Sequence, residues 1–123
     1  MKPLNIVVAQ NDSISAEALV ASLQHHFHVV ALAHTVDEVR SAIPKHRADV
    51  AVIDLEMASL ADIDTLRREF QKLDIVCTHR LADETIWTQA LAAGARDCCH
   101  PSDVRSIVFA ASHTVPMARS SAA

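Results

Sequence analysis

The sequence predicts a three-layer α/β domain, doubly wound around a parallel sheet, and three observations carry this prediction. Five short apolar runs alternate with longer stretches in which apolar residues recur every three or four positions. The runs are rich in valine and isoleucine and do not alternate with polar residues, as expected for strands covered on both faces. A chain of 123 residues, half of them apolar, suits one domain with a single core.

The predicted strands follow the apolar runs in chain order and cover 4–9, 29–33, 50–54, 75–78 and 97–99. Parallel strands need right-handed crossovers, so the helices between them must cover both faces of the sheet. We expect the strand order 2-1-3-4-5 of flavodoxin-like domains. In that order the binding crevice lies at the carboxyl ends of the first and third strands.

Five predicted helices alternate with these strands, each with an apolar stripe at helical spacing. The stripes are Ala16, Leu19, Leu23 and Phe27; Val36, Val39 and Ile43; Ile63, Leu66 and Phe70; Ile86, Ala90 and Leu91; and Val104, Ile107, Val108 and Ala111. Thr35 and Glu38 have capping-box spacing at the start of the second helix, and Pro44 is expected to end it. Gly94 is expected in the left-handed position after the fourth helix, and Ser102 is the expected N-cap of the fifth.

The composition of the chain argues against several classes of function. With one glycine, the chain cannot form a glycine-rich phosphate loop or a G-x-S-x-G nucleophile elbow. No apolar run approaches the roughly 20 residues that span a bilayer, and no secretory cleavage site is visible, so we expect a cytoplasmic protein with no membrane association. The net charge is −4 and the basic residues form no stripe, so direct nucleic-acid binding by this domain is not expected.

The cysteines and histidines are expected to have structural roles. Cys77, Cys98 and Cys99 have no C-x-x-C spacing, which indicates reduced, buried thiols. The eight histidines lack the spacing of a zinc site, so no metal is expected. The domain is expected to span 1–113, and 114–123 has the composition of a tail or the start of a linker.

Polar residues follow the strands at the carboxyl edge of the predicted sheet. They are Gln10, Asn11 and Asp12 after the first strand, Asp54 at the end of the third, Thr78 at the end of the fourth, and His100 and Pro101 after the fifth. At this edge, and most specifically in the segment ADVAVIDLEM at 48–57, the chain resembles the receiver domain of bacterial two-component response regulators. The resemblance covers 4–113. It implies that Asp54 holds the phosphoacceptor position, with Thr78 in the switch position and His100 in the lysine position.

The chain departs from the family pattern where phosphate would be handled. Receivers that take phosphate carry two acidic residues after the first strand, and this chain has Gln10 and Asn11 there. Mg²⁺ prefers carboxylate oxygens, so this degenerate acidic pocket should hold it poorly. His100 replaces a lysine and titrates near neutrality, and the resemblance implies a cis bond before Pro101.

These departures favour an atypical receiver that acts in signal transduction and transcription regulation without Mg²⁺-dependent phosphorylation, without a cofactor and without enzymatic turnover. It would act as a homodimer through the face of the fourth helix, fifth strand and fifth helix, through a fused or partner DNA-binding output domain, or through a small-molecule ligand at the carboxyl edge. The aromatic switch residue of receivers would fall on Asp97 or Cys98. Trp87 is either an exposed anchor on that face or a partly buried core residue.

The alternative hypothesis is a working phosphoacceptor, in which a histidine kinase or a small donor phosphorylates Asp54. Asp12, in a register shifted by one residue, would then serve as the magnesium ligand. If Asp54 takes no phosphate, we expect its carboxylate to be hydrogen-bonded to Thr78 or ion-paired with a protonated His100.

Overall fold

The apolar runs form one parallel sheet in the computed structural model, which describes residues 3–112. The strands are β1 (Asn5–Ala9), β2 (His28–Ala33), β3 (Val50–Asp54), β4 (Asp74–Thr78) and β5 (Asp97–Cys99). Their order is β2-β1-β3-β4-β5, and every neighbouring pair is parallel. The predicted α/β fold class and strand order are confirmed.

Within the described residues, five helices alternate with the strands. They are α1 (Ser13–Leu23), α2 (Val36–His46), α3 (Leu60–Glu69), α4 (Glu84–Ala93) and α5 (Val104–Ser112). The side chains of Asp12 and Thr35 cap α1 and α2, and a capping box between Ser59 and Asp62 begins α3. No helix in this part of the chain is long and apolar enough to cross a membrane. The predicted tail, 114–123, lies outside the described residues.

Alternate residues of the central strands belong to two separate apolar clusters. Val7 and Ile53 pack in one cluster with Ile63 of α3. Val52 packs in the other cluster, which includes Ile107 of α5. Because helices cover both faces of the sheet, every residue of β3 is buried. The polar side chains of the central strands can therefore reach solvent only at the ends of the strands.

One helix boundary differs from the prediction and another agrees with it. Pro44 lies inside α2, which continues to His46 before Arg47 adopts a left-handed conformation with φ of 53°. Pro44 lies in the last turn and cannot donate a backbone bond, but its carbonyl still accepts one from the Arg47 N–H. Gly94 has φ of 114° after α4, as predicted.

The entry into α5 also differs from the prediction. Asp103, not Ser102, caps the helix, because its carboxylate accepts bonds from the backbone N–H and the hydroxyl of Ser106. The peptide bond before Pro101 is trans, since no described residue has a cis bond. The Asp103 N–H donates to the His100 carbonyl at 2.9 Å, which makes Pro101 the second residue of a turn, a position that suits trans proline.

Candidate functional site

Residues from the end of β3, from the start of α1 and from the loops after β1, β3, β4 and β5 surround a cleft of about 360 Å³. Its lining is formed by Gln10, Asn11, Asp12, Ser15, Asp54, Glu56, Arg80 and Pro101. We call it the polar cleft. Adjacent parallel strands end at the same edge of the sheet, and this brings most of the predicted site residues together. Of the other two, Thr78 contacts the cleft through Gln10, and His100 is not part of the lining.

Asp54 ends β3 at the floor of the polar cleft, where it is 5% exposed. Its Oδ2 accepts the Asn11 N–H at 3.0 Å, and its Oδ1 accepts the Glu56 N–H at 2.9 Å. Backbone donors from two loops therefore fix the orientation of this carboxylate. The predicted hydrogen bond to Thr78 and ion pair with His100 are both absent: Thr78 Oγ1 accepts a bond from Gln10, and His100 Nδ1 accepts one from Ser102.

Gln10 follows β1 and is 1% exposed. Its Nε2 donates to Thr78 Oγ1 at 2.9 Å, which joins the end of β1 to the end of β4 across β3. Thr78 is itself fully buried. The Gln10 amide is thus a buried link between strands, and it carries no negative charge.

Asp12 lines the polar cleft, and its carboxylate caps α1. Its Oδ2 accepts the Ser15 N–H at 2.8 Å, and hydrogen bonds from Ser15 lower the pKa of Asp12. Asn11 is exposed and contributes a neutral side chain to the cleft. A metal ion at Asp12 would compete with the helix cap.

Arg80 is a cleft residue that the sequence reasoning missed. Its Nε donates to Glu56 Oε2 at 2.8 Å, and its Nη2 donates to Glu56 Oε1 at 2.5 Å. The bond to Glu56 raises the pKa of Arg80 and lowers the pKa of Glu56, and the charges of Asp54 and Asp12 raise the Arg80 pKa further. The sequence held one indication of this pair. The predicted strands end at Asp54 and Thr78, which are register partners in the structure, and Glu56 and Arg80 each lie two residues beyond those ends.

His100, which we predict at the lysine position, lines a neighbouring groove that shares Arg80 and Pro101 with the polar cleft. Its Nδ1 accepts the Ser102 N–H at 3.0 Å and lies 2.7 Å from Ser102 Oγ. It helps to line a more apolar groove of about 290 Å³, bounded by Leu19 of α1 and Val104 of α5. The turn after β5 therefore directs this side chain to a bond within its own loop rather than to Asp54.

Trp87 of α4 is 42% exposed, and its Nε1 donates to Asp97 Oδ1 of β5 at 2.8 Å. Asp97 is one of the two positions expected for the aromatic switch, and here its carboxylate links α4 to β5. Phe109 of α5 is also exposed, at 64%, and lies with Asp97 at one surface groove. We call the surface that carries Trp87, Asp97 and Phe109 the α4–β5–α5 face.

The cysteines are reduced and buried, as predicted. Burial raises the pKa of Cys98 to about 11 and that of Cys99 to about 12, and it also raises the pKa of Cys77. These thiols are protonated at neutral pH and are poor nucleophiles. Within 3–112, no group of three or more histidine, cysteine, aspartate or glutamate side chains could hold a metal ion.

No protein-family model matches the chain, and no curated protein matches it. Solved structures match it in fold. The signal receiver domain of the response regulator NarL from Mycobacterium tuberculosis has a TM-score of 0.79 at 20% identity, with 91% of this chain and 98% of that chain covered. A LuxR-family DNA-binding response regulator from Staphylococcus aureus has a TM-score of 0.76 at 13% identity, with 90% and 98% covered.

A longer structure also matches. The response regulator RcsB from Salmonella typhimurium, determined in a study of its DNA interaction, has a TM-score of 0.80 at 19% identity. The match covers 98% of this chain and 65% of the RcsB chain. All three similarities lie below 25% identity, so what they establish is the fold. This chain has the fold of response-regulator receiver domains.

Proposed function

We propose that this domain is an atypical receiver that acts in signal transduction and transcription regulation without Mg²⁺-dependent phosphorylation. The observation that carries the proposal is the pair of amides, Gln10 and Asn11, at the positions where phosphorylated receivers have acids. Gln10 is also committed to a buried hydrogen bond with Thr78. Turning it toward a metal ion would break that bond and leave buried polar groups without a partner, which is costly.

The carboxylates of the polar cleft already have partners. Asp54 accepts two backbone N–H groups, Asp12 caps α1, and Glu56 pairs with Arg80. Mg²⁺ is usually held by one or two carboxylates, with water completing a near-ideal octahedron. The bond network holds these carboxylates in place, and the two amides add no negative charge beside them, so this donor set attracts Mg²⁺ weakly.

Phosphoryl transfer depends on cations that neutralise charge on the transferred group. The lysine position supplies none to the polar cleft, because His100 lies outside its lining and bonds to Ser102. Asp54 is therefore a structural carboxylate in this proposal. The domain is a binding module with no catalytic residue and no cofactor.

We propose that the domain transmits its signal by binding other molecules. Exposed apolar side chains on the α4–β5–α5 face support a homodimer through that face. The similarity to RcsB supports a fused or partner DNA-binding output domain, with this domain making no contact with nucleic acid itself. A small molecule at the polar cleft is a further proposed input, and the protein is proposed to be cytoplasmic.

Phosphorylation by acetyl phosphate tests the proposal. We expect no phosphoryl adduct by intact-mass spectrometry after the wild type is incubated with acetyl phosphate and Mg²⁺. An adduct that disappears in Asp54→Ala would establish the working phosphoacceptor instead.

A matched pair of variants tests whether the amides are the cause. Restoring both acids, with Gln10→Asp and Asn11→Asp, should produce a saturable Mg²⁺ response in Trp87 fluorescence. The control exchanges the amides, with Gln10→Asn and Asn11→Gln, and should not respond. Equal behaviour of the two variants would contradict an electrostatic role for these positions.

A further inference from the structure

Arg80 and Glu56 form a two-point ion pair beside the polar cleft, between the loop after β4 and the loop after β3. The guanidinium uses Nε and Nη2 for Glu56, at 2.8 and 2.5 Å. A guanidinium has five N–H donors in a rigid fork, and paired bonds of this kind fix its orientation. Glu56 therefore holds the positive charge of Arg80 at one defined place on the cleft wall.

The charges that line the cleft are unequal in number. Three carboxylates, those of Asp12, Asp54 and Glu56, are opposed by a single cationic side chain, Arg80. The charges of Asp54 and Asp12, as well as that of Glu56, favour the protonated guanidinium. The positive charge therefore acts on the whole acidic group and not on its salt-bridge partner alone.

We propose that Arg80 is the resident cation of the polar cleft: its guanidinium, held by Glu56, neutralises the cleft carboxylates and keeps a divalent metal ion from binding there. This inference rests on the proposed function and deepens it, because it names the group that replaces the metal. The two amides leave the cleft with less negative charge than two acids would give it. Arg80 supplies the positive charge that balances part of the remaining negative charge. The cleft then keeps one electrostatic state whether or not Mg²⁺ is present.

Mg²⁺ alone is the probe, and the thermal unfolding midpoint is the readout. Arg80→Gln should gain a stabilising response to Mg²⁺ that the wild type lacks, with a rise of about 4 °C once Mg²⁺ is in roughly tenfold excess over its dissociation constant. Arg68→Gln is the matched control, since Arg68 is similarly exposed and pairs with Asp64 on α3 at 3.2 Å. It should not respond to Mg²⁺.

Two further variants locate the effect. Arg80→Lys keeps the positive charge and should remain insensitive to Mg²⁺. Combining Arg80→Gln with Asp54→Asn should abolish the gained response, because the cation would then have lost a cleft carboxylate. A response that survives in the double variant would place the metal elsewhere and overturn the inference.

The outcomes separate this inference from the proposed function. If the wild type takes no phosphate and Arg80→Gln shows no Mg²⁺ response, only the role of Arg80 fails. If the wild type itself binds Mg²⁺ and is phosphorylated on Asp54, the proposed function fails and the role of Arg80 fails with it. Arg80 is largely solvent-exposed, so we expect Arg80→Gln to fold, and Arg80→Ala provides a second neutral variant.

Discussion

Two side-chain hydrogen bonds of nearly equal length lie in opposite environments in this domain. The bond from Gln10 to Thr78 is 2.9 Å long and fully buried beside the polar cleft. The bond from Trp87 to Asp97 is 2.8 Å long and lies on the α4–β5–α5 face, where Trp87 is 42% exposed. If the buried bond breaks, its groups cannot turn to water, whereas the exposed groups can. Burial, not bond length, should therefore decide how much each bond contributes to the free energy of unfolding.

The difference also separates two kinds of surface. The polar cleft is held by the Gln10–Thr78 bond, which crosses β3, and by two backbone donors to Asp54, so its geometry is fixed. The α4–β5–α5 face carries apolar side chains that are exposed to solvent. A partner can cover such a face without disturbing the core, because these side chains are already at the surface.

The largest expected effect is that of Gln10→Ala. Losing the bond to Thr78 and leaving a cavity should lower the free energy of unfolding by about 2 to 3 kcal/mol. Urea denaturation followed by circular dichroism measures it. The control is Asn11→Ala, at the exposed neighbouring position, which should cost under about 0.5 kcal/mol. Similar losses in the two variants would contradict the importance of burial.

Gly94→Ala should have an intermediate effect, at the end of α4 next to the α4–β5–α5 face. Gly94 has φ of 114°, and an added Cβ would lie 2.8 Å from Cγ of Arg67. We expect a loss of about 1 to 2 kcal/mol in thermal unfolding. Adding Arg67→Ala should recover only part of it, because the backbone strain remains. Full recovery would assign the whole cost to the contact.

Trp87→Phe should have a smaller effect, because an aromatic ring remains at this half-exposed position and the main loss is the exposed bond to Asp97. We expect about 0.5 kcal/mol from urea unfolding followed by circular dichroism. A double-mutant cycle with Asp97→Ala isolates the coupling between the two side chains. A coupling as large as the loss in Gln10→Ala would remove the contrast between the two bonds.

The effect that is smallest at neutral pH is that of the Cys98 thiol on β5, because its contribution to the free energy of unfolding changes only at alkaline pH. Burial raises the pKa of this thiol from 9.0 to about 11. Between these values the unfolded chain releases the proton first, so this thiol lowers the free energy of unfolding as pH rises from about 9 to about 11. Urea midpoints across this range should fall less steeply in Cys98→Ala. An unchanged slope would contradict burial as the cause.

The sequence predicted the parts of the molecule whose signals are local. The apolar run at 50–54 gave β3 its observed limits and placed Asp54 at the carboxyl edge. Gly94 marked the end of α4 because a left-handed residue was needed there. Ser102 failed as a cap because Asp103, one residue later, competes for the same role. Neighbouring cap-forming residues cannot be ranked without the turn that precedes them.

The sequence predicted only part of the site, because the position of a strand end can be read from the chain and the conformation of the loop that follows it cannot. Most of the predicted residues line the polar cleft, because parallel strands end together. His100 was placed next to Asp54 by its position in the chain, and the turn through Pro101 gave it another partner. Arg80 went unnoticed because its role depends on its distance to Glu56, across two loops.

The sequence by itself determined which segments form strands and helices, and the charge content of the carboxyl edge, including the two amides. Burial of apolar surface is non-directional, so the pattern of apolar residues along the chain is enough to specify which segments pack as strands and helices. Only the tertiary structure decided which polar groups pair. Gln10 reaches Thr78 across 68 residues of sequence, and Arg80 reaches Glu56 across 24. Hydrogen bonds need donor and acceptor within a narrow range of distance and angle, and the packed strands and loops set that geometry.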